Sequence, residues 1–516
     1  MITDITVRNL RSFAEQSFRI SPITILLGQN SAGKSSITRL FPLLKQSMEQ
    51  VASAPVLWNS SYVDYGSFQE VISRSAKTQE LSFSFRLSAD RFYQQLSGSR
   101  EHRPTTDSGP SNFTYDLFLG PASKGRTKTL RSIIRVDDDI IEVEYDRRRR
   151  ISHLTINGVP PSELSPRAKA EGVQRGLVPI IQISGFPQSL MTHDAQHMAT
   201  LLASELAYLF RQGDVSRQLT SHVRNLFYRP KAQFKQHLLQ WLNQIPGISV
   251  PPNRLKNVTI ERVRSMLLLR DCGRLSRILY EQIYGDLISS QYIGPIRARA
   301  ERYYRIQELA IDHIDPNGEN VAMYLNFLTP SELKNFNSIF YDAFGYTVEP
   351  YQNRGHVSLL LKEGGIGRGD NIADVGFGFS QVIPVVAQIF AATKHRDAMS
   401  QRVGSLAYRS SPVVAVEQPE LHLHPAFQAK LADLFAQLAH TNNPTGRRSR
   451  FVIETHSEAF VNRLGRLIAD GVIKSTDVTI YTFEKNRGSG TTVVNTLTFG
   501  DDGLIENWPV GFFSAR

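Results

Sequence analysis

The sequence predicts an α/β fold in which a mixed sheet is interrupted by a mainly helical insertion. Three observations carry this reading. Two β-branched runs, residues 2–8 and 18–27, lead into a turn at Gly28 with a helical stretch beyond it. From about Ser162 to Tyr284 the pattern changes to helical runs. From Asp374 onward strands and helices alternate again, as in a head domain resumed after an insertion.

Each element follows from its residues. Between Lys34 and Gln50 the apolar positions Ile37, Leu40, Phe41, Leu44 and Met48 recur at helical spacing, and Pro42 is expected to kink the helix. Beyond Tyr62 the pieces LSFSFRL, FTYDLFL, IIEVEYD and HLTING are separated by polar, Gly- and Ser-containing segments, which predicts a meander extending an antiparallel sheet. The runs AQHMATLLASELAYLF and VRSMLLLRDCGRLSRILYEQIY lack sustained heptads and are interrupted by Pro230, Pro246, Pro251 and Pro252, so a compact helical body is expected in place of a long coiled coil. The expected division is 1–160 for the N-terminal part of the head, 161–285 for the insertion and 286–516 for the C-terminal part of the head.

Composition removes several classes. With 41% hydrophobic and 21% charged residues, the 516-residue chain is neither globally disordered nor fibrous. The first residues lack a secretory layout and no apolar run approaches the roughly 18 residues needed to span a bilayer, so the expected location is cytoplasmic, away from membranes. A single cysteine, Cys272, excludes an internal disulfide framework and a cysteine-rich zinc site. The formal net charge of +11 favours contact with nucleic acid or an acidic partner. Two basic clusters stand out, Arg147 to Arg150 behind Asp146, and the series Arg297, Arg299, Arg302 and Arg305. Each also reads as a solvated hairpin or helix face, and for the first cluster that reading weighs as much as nucleic-acid contact.

The chemistry is concentrated in four motifs. Gly28-Gln29-Asn30-Ser31-Ala32-Gly33-Lys34-Ser35 fits G-x-x-x-x-G-K-[ST] and lies between an apolar strand and a helix, the context that the motif requires. Its N–H groups, with Ser36 at the helix start, can fold around phosphates; Lys34 reaches the β/γ-phosphates and the Ser35 hydroxyl ligates Mg²⁺, so ATP and Mg²⁺ are the expected cofactors. Further on, the apolar strand 412–416 ends at Glu417-Gln418-Pro419-Glu420. A carboxylate there can hold the Mg²⁺ hydration shell, which makes Glu417 the metal candidate beside Ser35. The neighbouring His422 and His424, two residues apart and without further ligands, read as a turn and helix entry. A third strand, Phe451-Val452-Ile453, ends in Glu454-Thr455-His456-Ser457, where His456 can reach a γ-phosphate. Gly376-Phe377-Gly378-Phe379-Ser380-Gln381 opens an apolar helix, with Ser380 expected as N-cap and Pro384 in the first turn. A glycine-rich helix start is an anion site, which adds Gly376, Gly378 and Ser380 to the candidates.

This order of motifs resembles the ABC-type ATPase heads of the SMC, RecF and OLD group, and most closely a bacterial family of stand-alone OLD-like ATPases found in anti-phage defence loci, including the Septu ATPase and some retron-associated ATPases. VRNLRSF, YVDYGSF, IGPIRARAERYY, EQPELHLHP, ETHS and the ending ENWPVGFF carry the resemblance over about residues 1–90 and 290–516. It implies a homodimer in which 374–381 acts as the signature segment and closes on ATP held by the other subunit. It also implies that His456 is the switch histidine, that His424 lies in the D-loop, that Arg8 and Arg11 contact nucleotide or DNA, and that Gln69 is the Q-loop glutamine.

One position departs from that pattern. Where such heads place a catalytic glutamate after the Walker B acid, this chain has Gln418, which can orient a water but cannot accept its proton. Slow hydrolysis is expected, with Glu420 or Glu454 as substitute bases. The resemblance implies a nucleotide-gated regulator of a separate effector, a nuclease above all, in anti-phage defence; a RecF/Rad50-like DNA-repair ATPase clamp is the alternative. A transporter subunit is disfavoured by the insertion. No HNH signature is present and the 60 residues after His456 are too few for a Toprim domain, so a nuclease is expected in a partner.

Overall fold

The computed structural model describes the chain except residues 51–53, 90–111, 187–191, 210–218, 220–221, 224–225, 247, 307–313, 366, 401–410, 441–447, 487, 489 and 509–516. The end of the motif ENWPVGFF lies outside the described residues. Two large sheets organise the rest. One has six strands in the order Gln291–Ile293, Val413–Glu417, Arg450–Glu454, Ile23–Gly28, Val478–Lys485 and Thr492–Leu497; the first five run parallel and the last is antiparallel. Every residue of its three central strands is buried, because helices cover both faces of a parallel sheet and leave no solvent side to alternate toward.

The second sheet has seven antiparallel strands, and Leu81–Leu87, Phe113–Pro121, Thr127–Val136, Asp139–Tyr145 and Ile151–Ile156 form its consecutive meander. Its apolar face shares one hydrophobic core with the helices Thr192–Leu206, Lys231–Asn243 and Asn257–Ile288, whereas a second core lies between the parallel sheet and the C-terminal helices. No helix of the described residues is long and apolar enough to cross a membrane.

Three local expectations are corrected. The stretch expected to turn helical from about Ser162 has one short helix, Pro161–Leu164, and then forms the hairpin Lys169–Arg175 and Val178–Ser184, where Ile181 and Ile183 are buried and Gln182 between them is exposed. That alternation of period two is the signal for a strand. The break expected at Pro42 falls earlier, at Arg39, between helices Lys34–Thr38 and Leu40–Glu49; Pro42 has no N–H for the Thr38 carbonyl and crowds it. The helix expected to open at Ser380 starts at Phe377 and runs to Ser400. Ser380 is therefore inside the helix, not its N-cap, and Pro384 is an interior proline. Packing offsets the lost hydrogen bond: Pro384 lies so close to Gly318 that a Cβ there would stand 2.6 Å from its ring. Gly378 can sit in the first turn because it adds no side chain against Leu423, whose Cδ2 would be 3.2 Å from a Cβ.

Candidate nucleotide site

Parallel strands end on one edge, and the register decides what meets there. Glu417 lies opposite Glu454, Glu454 opposite Leu26, and Phe483 opposite Gly28, so the P-loop and both carboxylates share the carboxyl edge of the sheet. Gly28 and Gly33 are required by geometry, with φ of 144° and 99°; a Cβ would stand 2.4 Å from the Phe483 carbonyl at the first and 2.8 Å from Ser12 Oγ at the second. Thr492 Oγ1 anchors the loop by donating to the Ala32 carbonyl at 2.8 Å. Lys34, only 3% exposed, folds back to donate to the carbonyls of Gly28 and Gln29, both at 2.9 Å. Burial holds its ammonium below the ordinary lysine range, against the opposing pull of Glu454, Glu417 and Glu420.

The two strand-end carboxylates have different partners. Glu417 is gripped by Arg39, Nε to Oε1 at 2.7 Å and Nη2 to Oε2 at 3.0 Å, and the Tyr292 hydroxyl donates to Oε1 at 2.8 Å. Glu454 instead accepts from Ser35 Oγ at 3.1 Å and Thr38 Oγ1 at 3.4 Å, with Lys34 Nζ 3.8 Å away. Burial and the neighbouring charge of Glu417 push the Glu454 carboxyl above its usual range. Asn30, Ser31, Gly33 to Ser36, Glu417, Gln418 and Glu454 line one open cleft of about 460 Å³, which suits a small-molecule site.

A family model described as "AAA domain, putative AbiEii toxin, Type IV TA system" matches residues 23–462. The chain belongs to that family. Among curated proteins none matches. Solved structures that resemble it include an SMC head bound to the C-winged helix domain of ScpA (12% identity, TM-score 0.37, covering 96% of this chain and 97% of that one) and the SMC head domain from Thermotoga maritima (9%, 0.35, 96% and 98%). A third is the recombination mediator protein RecF-ATPrS in the RecFOR pathway (9%, 0.30, 96% and 98%). At these scores the likeness says nothing of activity.

In this AAA domain the oxygen donors at the cleft fit Mg²⁺. A serine hydroxyl and two buried carboxylates are hard ligands, and the described residues hold no cluster of three or more His, Cys, Asp or Glu that would cage a metal alone. That is the pattern of an ion held by one or two carboxylates, phosphates and water.

The turn after Glu417 is stretched over a buried arginine. Gln418 takes φ 45°, its N–H bonds the Glu454 carbonyl at 2.7 Å, and Arg297 donates to the carbonyls of Glu417 at 2.8 Å and Gln418 at 3.0 Å. Arg297 is 4% exposed, and burial pushes its guanidinium down to about 10. One of the basic clusters thus contributes a residue to the interior of the site, and its Arg302 pairs with Asp374. The other cluster is a hairpin turn in which Arg149 points inward, donating to the carbonyls of Ala54, Gln174 and Gly176. His456 stands two residues beyond Glu454, its N–H held by Glu420 Oε1 at 2.7 Å; burial and Lys34 hold its imidazole below the ordinary value.

Gly376, Gly378, Ser380 and His456 are not part of the cleft lining. At the helix start Gly378 lies against Leu423 and Phe379 against Phe427 and Tyr346 of the same chain. Arg11 lines the cleft and stacks on Tyr65, whereas Arg8 pairs with Glu15 on the surface and Gln69 is exposed outside the lining. His424 caps the helix Pro425–His440. Sequence reasoning missed Arg39 and Tyr292, which sit in no motif, and named Arg297 only as part of a basic cluster and of the run IGPIRARAERYY, without a role at Glu417.

Proposed function

We propose that this protein binds ATP with Mg²⁺ at the cleft and hydrolyses it slowly as a homodimer, and that its nucleotide state gates a partner effector, a nuclease above all, in bacterial anti-phage defence. The observation that carries the nucleotide reading is the buried Lys34, whose hydrogen bonds go to P-loop carbonyls, converging with Ser35 and two carboxylates in one cleft. Phosphate oxygens offer that ammonium stronger, charge-assisted bonds than the carbonyls do. Magnesium, when bound, neutralises developing phosphate charge.

The shared-site reading draws support from Gly376, Gly378 and Ser380 lying outside the lining of their own cleft, so that a second chain is needed for that segment to meet a nucleotide. Slow turnover follows from Gln418, whose amide can orient a water but cannot take its proton. Arg297 fixes the backbone of that residue, so the side chain is positioned while the base is missing. Glu454, on the Ser35 hydroxyl, and Glu420, on the His456 amide, are the carboxylates left to accept it. Contact with nucleic acid draws support from the net charge of +11.

Equilibrium binding of ATP to wild type and Lys34→Ala tests the core of this reading. Loss of the charged donor lowers affinity by about 10- to 100-fold. Unchanged affinity in a folded Lys34→Ala protein overturns it. ATP-dependent association by sedimentation tests the dimer, and turnover at tens per second rules out the gating model.

A further inference from the structure

We propose that Glu454 is the protein carboxylate that serves the Mg²⁺ of the bound nucleotide, with Glu417 held away from it by Arg39. The inference rests on the ATP reading above, reassigns the metal side of the same site and leaves Glu420 as the substitute base.

Three observations separate the two acids. The Ser35 hydroxyl, the donor that a P-loop metal uses, is hydrogen-bonded to Glu454 Oε1 at 3.1 Å. An ion placed on that hydroxyl is within reach of Glu454 directly or through one water. Glu417 makes no such contact. Both of its oxygens are engaged by the Arg39 fork at 2.7 and 3.0 Å, and Oε1 also accepts from Tyr292. A planar guanidinium seated bidentately on a carboxylate takes two of its four lone-pair directions, and the Tyr292 hydroxyl takes a third.

The third is charge. Glu454 is 4% exposed and its nearest cation, Lys34 Nζ, stays 3.8 Å away while donating to two carbonyls. Glu417 and Glu454 end paired strands, so Arg39 compensates one buried anion and leaves the other for a cation that arrives with the nucleotide. The Arg39–Glu417–Tyr292 unit then has a separate task. It ties the P-loop helix to the strand Gln291–Ile293, fixing the edge on which the ion sits.

The test is the effect of Mg²⁺ on ATP affinity, measured in Mg²⁺ and in excess EDTA for wild type, Glu454→Gln and Glu417→Gln, with Mn²⁺ binding to each ATP complex followed by electron paramagnetic resonance. Glu454→Gln lowers the Mg²⁺-dependent gain in affinity by about tenfold or more, whereas Glu417→Gln lowers it by less than about threefold. Glu454→Asp, which keeps a carboxylate, recovers part of the gain and separates ligation from packing. Equal losses in the two Gln variants, no loss in either, or a larger loss in Glu417→Gln overturns the assignment. Failure of the ATP reading looks different, since wild type then binds ATP in neither buffer.

Discussion

On the outer face of the antiparallel sheet, arginines stand in partly exposed ion pairs: Arg131 with Glu80 and Glu142, Arg8 with Glu15. At the carboxyl edge of the parallel sheet Arg297 is buried on two backbone carbonyls and Arg39 grips a buried carboxylate. The same side chain is thus a solvated ornament of one sheet and a fixture of the other. Exposed pairs contribute about 0–1 kcal/mol, whereas a buried partner left without its donor loses about 1–3 kcal/mol. Net charge describes the first kind of arginine, and the site is built from the second.

The largest effect expected from this contrast is at Arg297. Its replacement by Met removes the donor to two buried carbonyls, so unfolding stability should fall by about 2–5 kcal/mol, read from the denaturation midpoint. Arg299→Met, at an exposed neighbour in the same cluster, should change it by less than about 0.5 kcal/mol. Similar losses at both positions would erase the distinction between the two kinds of arginine.

Next comes Gly378, on the segment proposed to face a second subunit. A Cβ there meets Leu423 Cδ2 at 3.2 Å and the His422 carbonyl at 3.4 Å. Gly378→Asp should therefore cost about 1–3 kcal/mol within its own chain, apart from any effect across a dimer. Gly378→Ala supplies the control, since it adds the Cβ without the anion. If ATP-dependent association falls in the Asp variant and persists in the Ala variant at similar stability, the anion is acting on the facing site. Parallel loss in both would reduce the segment to a structural turn.

These cases also mark what could be read without the fold. The P-loop was legible because its chemistry lies in eight consecutive residues whose backbone sets the site. The meander was legible from alternation, except Thr127–Val136, where a register shift opposite Phe118 and Leu119 interrupts the pattern. Two acids at strand ends were visible as well. Their order was not: the strand carrying Glu454 lies between the P-loop strand and the strand carrying Glu417, and no local pattern states which strand is the neighbour. Arg39, Tyr292 and Arg297 converge on Glu417 from 125 residues or more in two cases and 120 in the third. The glycine at 378 hid a helix start, because its low helix propensity was outweighed by the close packing against Leu423 that a glycine permits.

Arg148 and Arg149 give a sharper version of the comparison, two adjacent residues in one turn. Asp146 caps the turn through the Arg148 and Arg150 amides, while the Arg149 side chain reaches inward to three carbonyls. Burial also lowers the pKa of Arg149. Arg149→Glu should destabilise by about 1–3 kcal/mol whatever the protein binds, so charge reversal there says little about nucleic acid.

The smallest effects belong to the solvated arginines, and there the comparison can fail from the other side. Arg148→Glu leaves no buried acceptor unmet, so its stability change should stay within about 0.5 kcal/mol. Any weakening of nucleic-acid binding in that variant can then be credited to phosphate contact, with a shallower salt dependence as its mark, near one charge per arginine lost. Arg131→Ala on the outer sheet face breaks pairs with Glu80 and Glu142 in partly exposed surroundings and should cost at most about 1 kcal/mol, shrinking as salt is raised. A loss of several kcal/mol at Arg131, unmoved by salt, would mean that the outer face is covered in solution and that its arginines are buried against a partner.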